Sequence, residues 1–243
     1  MEDFQQARKS PVTLTEIVTV ILIIFILIGL LIPSESHPHP PRFRCTNNLE
    51  QLSLAMMNYE ADYGCFPPAY TVDAKGNRLH SWRTLLLPYL WEDELYQVID
   101  FSKPWGHPVN SKLSDLQLDV FECPAAGLEP GSTTYTVVDD PAGIFNGSTS
   151  TKVAQIADGP GNTLLVVEVD NAHAIPWMSP TDIDMKTYLN NSFKSEHEGG
   201  ANCALADGSV HLMPSWMKEE EMEAMATKSA GDTTVSSFRR IAP

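Results

Sequence analysis

The run from Val12 to Ile32, 21 residues with a single ionisable side chain, Glu16, constrains this chain more than any other stretch. As a helix rising 1.5 Å per residue, about 20 apolar residues cover a bilayer core of about 30 Å. A secretory leader has a shorter apolar stretch, followed by a small-residue cleavage site. Here the run closes on Leu30, Leu31, Ile32 and Pro33 with no Ala-x-Ala pattern, so a retained, single-pass anchor over residues 12–32 is expected. Arg8 and Lys9 precede the run. The positive-inside rule then leaves residues 1–11 in the cytoplasm and the rest of the chain outside it, periplasmic in a bacterium.

Beyond the anchor, His37–Arg44 and the preceding Pro33 form a proline-rich spacer, 33–44, in which Pro38, Pro40 and Pro41 oppose helix formation. Residues 45–230 are enough for one domain with a true core, and 231–243 read as a loose tail. The net charge of −15 lies almost wholly outside the anchor. So acidic a surface disfavours phosphate backbones, and nucleic acid is not an expected partner.

The domain divides into a helical first part and a β-rich second part. Leu49, Leu52, Met56, Tyr59 and Tyr63 recur at helical spacing from Thr46 onward, with Gly64 as the stop. Ser81 opens a second helical region that Pro88 breaks and Glu92–Ile99 resumes. Asp119–Pro124 reads as a short strand, Thr133–Val138 as a β-branched one, and Thr163–Val169 as one apolar enough to be central. Ala201–Ala206 and Ser209–Met213 flank Asp207-Gly208, a step that suits a tight hairpin because glycine accepts positive φ. A short Glu-rich amphipathic helix is expected over 217–228.

Five segments, in this order, resemble a bacterial, planctomycete-type prepilin-like family of unknown function. The family has an N-terminal cleavage/methylation segment and an H-x9-D-G processing-associated motif. The segments are Thr13–Glu16; Cys45–Gln51 continuing through Asn58-Tyr59 to Phe66–Pro68; His80–Arg83 with Leu86–Leu90 and Pro104-Trp105; Val120–Pro124; and His197 followed at the required interval by Asp207-Gly208. The resemblance implies an α+β fold in which the N-terminal transmembrane helix leads into a pilin-like domain, a helix packed on an antiparallel sheet. It also implies a membrane-anchored, pilin- or pseudopilin-like envelope protein with a structural or assembly role, no enzymatic activity and no cofactor. Prepilin peptidase and like subunits would be its partners, the cut falling between Pro11 and Val12 and Glu16 pairing with a neighbour's new amine. Pro11 stands where relatives carry Gly, and the spacer interrupts what is one long helix in relatives. A fixed anchor is therefore expected in preference to a cleaved fibre subunit. The alternative is a membrane-tethered extracytoplasmic module that binds a solute, glycan or cation.

Cys45, Cys65, Cys123 and Cys203 allow three two-bridge pairings. One bridge, Cys45 to Cys123, is expected, against free buried thiols. With no C-x2-C pair, zinc is not expected and no metal ligand is assigned. His197 and Asp207 invite a catalytic or metal pairing, but no supported nucleophile accompanies them. Asp207 and Gly208 are read as the turn and His197 as a loop-closing residue, so the motif is structural and no catalytic residue is assigned. The acids Asp139, Asp140, Asp170, Asp182 and Asp184 lack calcium-loop spacing and are read as solvated.

Overall fold

The computed structural model describes residues 13–31, 41–190, 195–231 and 239–240, and the chain forms two compact units, residues 1–39 and 40–243. Pro11, Val12 and spacer residues 33–40 lie outside the described residues. In the first unit, helix α1 (Leu14–Leu31) starts on a reciprocal cap. The Thr13 amide donates to Glu16 Oε2 at 2.8 Å, and the Glu16 amide donates to Thr13 Oγ1 at 3.4 Å. This capping box satisfies amides that the first helical turn leaves unpaired. The large apolar side chains from Leu14 to Ile28 are exposed. Among the described residues no helix is long and apolar enough to cross a membrane.

The second unit opens with helix α2 (Pro41–Tyr63), which begins five residues before Thr46 and takes in the end of the expected spacer. Pro38, Pro40 and Pro41 predict an extended spacer up to Arg44. Pro41, however, stands at the first helical position, where an amide would go unbonded in any case. Cys45, Leu49, Leu52 and Met56 are fully buried, while Tyr59 is half-buried and Tyr63 exposed. Burying each such Leu or Met stabilises the fold by about 1.5–3 kcal/mol. The helix ends at Gly64, at φ +71°.

A small antiparallel ribbon follows, β1 (Tyr70–Val72) and β2 (Arg78–Ser81), turned by Asp73, whose Oδ1 accepts the Lys75 and Asn77 amides. Helix α3 (Trp82–Leu85), a 3-10 turn at Leu87–Leu90 and helix α4 (Asp93–Val98) form the broken helical region. Ser81 sits at the start of α3 without capping it, because its hydroxyl donates instead to the Trp177 carbonyl at 3.2 Å. The strand expected over Asp119–Pro124 is a 3-10 turn at Asp119–Phe121. Asn48 of α2 explains this, since its Nδ2 donates to the carbonyls of Asp119 at 2.9 Å and Glu122 at 2.8 Å in place of a strand partner.

The main sheet is antiparallel, with spatial order β4 (Tyr135–Thr136), β5 (Leu164–Glu168), β7 (Gly200–Leu205), β8 (Val210–Pro214) and β9 (Arg239–Arg240). Two further strands, β3 (Ser132–Thr133) and β6 (Ile175–Pro176), pair with each other, so the run 133–138 divides between two sheets at Thr134. Arg239–Arg240 pair with His211 and Leu212, which corrects the reading of 231–243 as loose throughout. Helix α2 packs on β7, β5 and β8. On the opposite face, Leu164, Val167, Ala201, Cys203 and Leu205 form a second apolar layer. Tyr188 of α5 (Met185–Asn190) and Met222 and Met225 of α6 (Glu219–Ala226) complete it. The unit is thus α+β, with its antiparallel sheet between helices.

Candidate metal centre

Four chain segments meet where α2 crosses the sheet. Cys45 comes from the second turn of α2. Cys123 follows the 3-10 turn that Asn48 holds against that helix. Glu168 is the last residue of β5, and His197 lies in the loop before β7. The loop is closed locally: the Ser195 hydroxyl donates to the Gly200 carbonyl at 2.9 Å, and the His197 amide donates to Ser195 Oγ at 3.1 Å. Arg42, in the first turn of α2, donates from Nη2 to the Glu198 carbonyl at 2.5 Å, which pins the loop to the helix.

The donor atoms of these four residues all lie within 4.8 Å of one another. Cys45 Sγ is 2.9 Å from Cys123 Sγ. Cys123 Sγ is 3.6 Å from His197 Nε2, which is in turn 3.3 Å from Glu168 Oε1. Both cysteines are fully buried, Glu168 is 2 % exposed and His197 9 %. The second carboxylate oxygen is also engaged: Asn202 of β7 donates from Nδ2 to Glu168 Oε2 at 2.8 Å. The Tyr135 hydroxyl lies beside Cys45, and strand pairing sets Tyr135 directly opposite Glu168.

Packed together in the interior, these groups perturb one another. The hydrogen bond from the Cys123 thiol, helped by His197, outweighs burial and brings the Cys45 thiol down to about 6. Cys123 moves the opposite way, because it donates that bond and is itself desolvated. Burial disfavours the His197 imidazolium, but hydrogen bonds and negative charge at Cys45 and Glu168 prevail and raise it to about 9.

Residues 42–139 match a family described as a protein of unknown function, DUF1559. The matched residues include Cys45, Asn48, Cys123 and Tyr135. Glu168, His197 and Asn202 come from beyond them. No curated protein matches the chain, and no solved structure does.

Of the residues singled out by sequence, Cys45, Cys123 and His197 come together, whereas His197 and Asp207 do not act as a pair. The Asp207 carboxylate instead accepts the Ser209 amide at 2.9 Å and the Ser209 hydroxyl at 2.5 Å within the β7–β8 turn. Gly208 sits there at φ +85°, with Met57 of α2 packed where a side chain would go. Cys45 and Cys123 are free thiols in contact. Glu168 was not assigned a role from sequence. Its signal was an acid inside an otherwise apolar strand, since a fully buried carboxylate requires a partner.

Asp182 corrects the reading of the loop acids as solvated. It is buried with Arg83, Nη2 to Oδ1 2.6 Å. The same oxygen accepts Trp82 Nε1 at 3.2 Å, Thr136 Oγ1 at 2.9 Å and the Val137 amide at 3.2 Å. Arg83 also donates to the Tyr135 carbonyl from Nε at 3.1 Å and Nη2 at 2.7 Å, so the His80–Arg83 segment fixes β4 next to the cluster.

Proposed function

We propose that this protein is a membrane-anchored, pilin-like envelope protein with a structural or assembly role and no catalysis. One observation carries the reading: a capped, mostly apolar helix whose one ionisable side chain is Glu16 precedes a domain in which a second helix lies along an antiparallel sheet. An apolar helix whose large side chains are exposed on every side is suited to hydrocarbon surroundings. In the sequence the apolar run extends from Val12 to Ile32, enough residues for a helix of about 30 Å. Glu16 suits anchoring without a partner, because its carboxylate already serves the start of its own helix. The burial of Cys45, Cys123, Glu168 and His197 favours a structural role for that cluster, since a substrate would have no approach to it.

The test is fractionation of the native full-length protein, followed by mass spectrometry and crosslinking. Retention in carbonate-washed membranes, loss of that retention when residues 12–32 are replaced by a polar linker, and an intact Met1 start are expected. Release by carbonate refutes the anchor. Crosslinking that recovers monomer alone refutes the assembly role, leaving a structural one. The second reading, a tethered binding module, is favoured for a cation by the ligand set above, and for nothing larger.

A further inference from the structure

We propose that Cys45, Cys123, Glu168 and His197 form a closed, four-coordinate site for a zinc-class divalent cation, tying α2 and the 119–126 loop to the sheet. The inference stands independently of the anchor. Its first support is convergence. His197 Nε2 faces both Cys123 Sγ, at 3.6 Å, and Glu168 Oε1, at 3.3 Å. One ring nitrogen has one proton to give, so two acceptors on it are better served by a single cation between all four groups.

The distances agree with this. Tetrahedral zinc, with Zn–S about 2.3 Å and Zn–N or Zn–O about 2.05 Å, sets ligand–ligand edges of about 3.6 Å for S to N and about 3.3 Å for N to O. Both match the observed separations. The S to S edge would be about 3.8 Å, so the thiols at 2.9 Å must part by about 0.9 Å. Closing them to a disulfide of about 2.05 Å needs a similar movement in the other direction. The sulfur pair alone therefore decides nothing, and the other two ligands do: a disulfide uses neither His197 nor Glu168.

Charge and outer contacts point the same way. Two thiolates and a carboxylate bring three negative charges, and a dication leaves a net charge of about −1, which neutral imidazole does not alter. Metal-binding side chains are characteristically held from behind by hydrogen bonds. Asn202 holds the far oxygen of Glu168 in this way. A mixed S2NO tetrahedron suits zinc over harder cations, which prefer oxygen alone. Four protein ligands, three of them buried and His197 only 9 % exposed, describe a structural site with no open position.

The experiment uses full-length protein in detergent, carrying a tag without histidines, from membranes whose thiols were trapped by alkylation at lysis and, in parallel, from untreated membranes. Trapping reports whether Cys45 and Cys123 are bridged in place. The untreated sample, reduced under argon and dialysed in separate portions against zinc and against cobalt, reports metal stoichiometry and the cobalt absorption. We expect no Cys45–Cys123 bridge, about one zinc per chain, and cobalt spectra with sulfur charge-transfer and tetrahedral ligand-field bands. Asn202→Ala, which leaves all four ligands in place, should weaken zinc binding by about 10–100-fold, and Glu168→Gln should weaken it further. A Cys45–Cys123 disulfide in the trapped sample overturns the proposal. So does failure of the reduced, folded protein to take up either metal. Wild-type protein alone decides both points, so a variant that fails to fold leaves the test intact.

Discussion

Replacing Asp182 by Asn should destabilise the second unit by about 3–5 kcal/mol, because it strands a buried guanidinium. The two side chains of the Arg83–Asp182 pair are 0 % and 1 % exposed, so water does not replace the lost charge. Four donors, Trp82 Nε1, Arg83 Nη2, Thr136 Oγ1 and the Val137 amide, meet on Asp182 Oδ1. Burial pushes the Asp182 carboxyl up and the Arg83 guanidinium down, and each opposes the other's shift. Asn keeps the shape and an acceptor oxygen but removes the charge that makes burial of Arg83 tolerable. The same side chain also holds the Tyr135 carbonyl, so the loss is transmitted to β4.

The assay is urea unfolding of the full chain in detergent, followed by tryptophan fluorescence. Trp82 is a local reporter, with the Arg83 guanidinium carbon 4.5 Å from its ring centre. With an m-value of about 2 kcal/mol per M, a loss of about 4 kcal/mol moves the midpoint down by about 2 M. The double replacement Arg83→Met with Asp182→Leu removes both charges and should recover most of that loss. A loss below about 1 kcal/mol for Asp182→Asn, or a double variant as unstable as the two single losses added, refutes the reasoning.

Two further perturbations follow from positions where the chain leaves little freedom. Gly200→Ala should cost at least about 2 kcal/mol in the same unfolding assay, from strain and overpacking together. Gly200 sits at φ +146° and a Cβ there would stand 2.0 Å from the Met213 carbonyl oxygen; a midpoint equal to wild type would show that β7 and β8 can part at no cost. His80 should make stability fall as pH drops. It is fully buried, and desolvation holds its pKa below the ordinary value against the opposing pull of the Lys103 and Asp100 backbone and the Asp100 charge. The unfolded chain therefore takes up a proton near pH 6.5 that the folded chain refuses, costing up to about 1.4 kcal/mol per pH unit below that point. His80→Phe should flatten this part of the profile, and an unchanged slope between pH 6.5 and 5 would locate the acid sensitivity elsewhere.

The elements most legible in the sequence were those whose signal is local. Leu49, Leu52 and Met56 announce the buried face of α2 by helical spacing. Asp207-Gly208 marks the β7–β8 turn, because few residues besides glycine take φ +85° against Met57. What was hidden depends on partners far away in the chain. The start of α2 was misplaced because a proline count ignores position within the helix. The turn at Asp119–Phe121 was taken for a strand because its carbonyls are satisfied by Asn48, 71 and 74 residues distant. Cys45 and Cys123 are 78 residues apart, and nothing in their spacing shows a ligand pair. Glu168 carries no sign of its role in the sequence beyond being an acid in a strand that is otherwise all Leu and Val.

The short motifs spread along the chain acquire a common physical purpose around that cluster. Asn48 presents Cys123 to Cys45, and Arg42 draws in the loop that bears His197. Arg83 fixes the β4 carbonyl at Tyr135, and the β4–β5 register then places Tyr135 opposite Glu168. Asn202, inside the interval between His197 and Asp207, holds the carboxylate from β7. A disulfide would make use of only the first of these arrangements, because it joins α2 to residue 123 and stops there. A four-ligand centre makes use of all of them, since it also joins β5 and the 195–200 loop. The β7 segment between His197 and Asp207 brings Asn202 and His197 to the same glutamate, so the hairpin that closes at Asp207-Gly208 holds one ligand and the residue behind another.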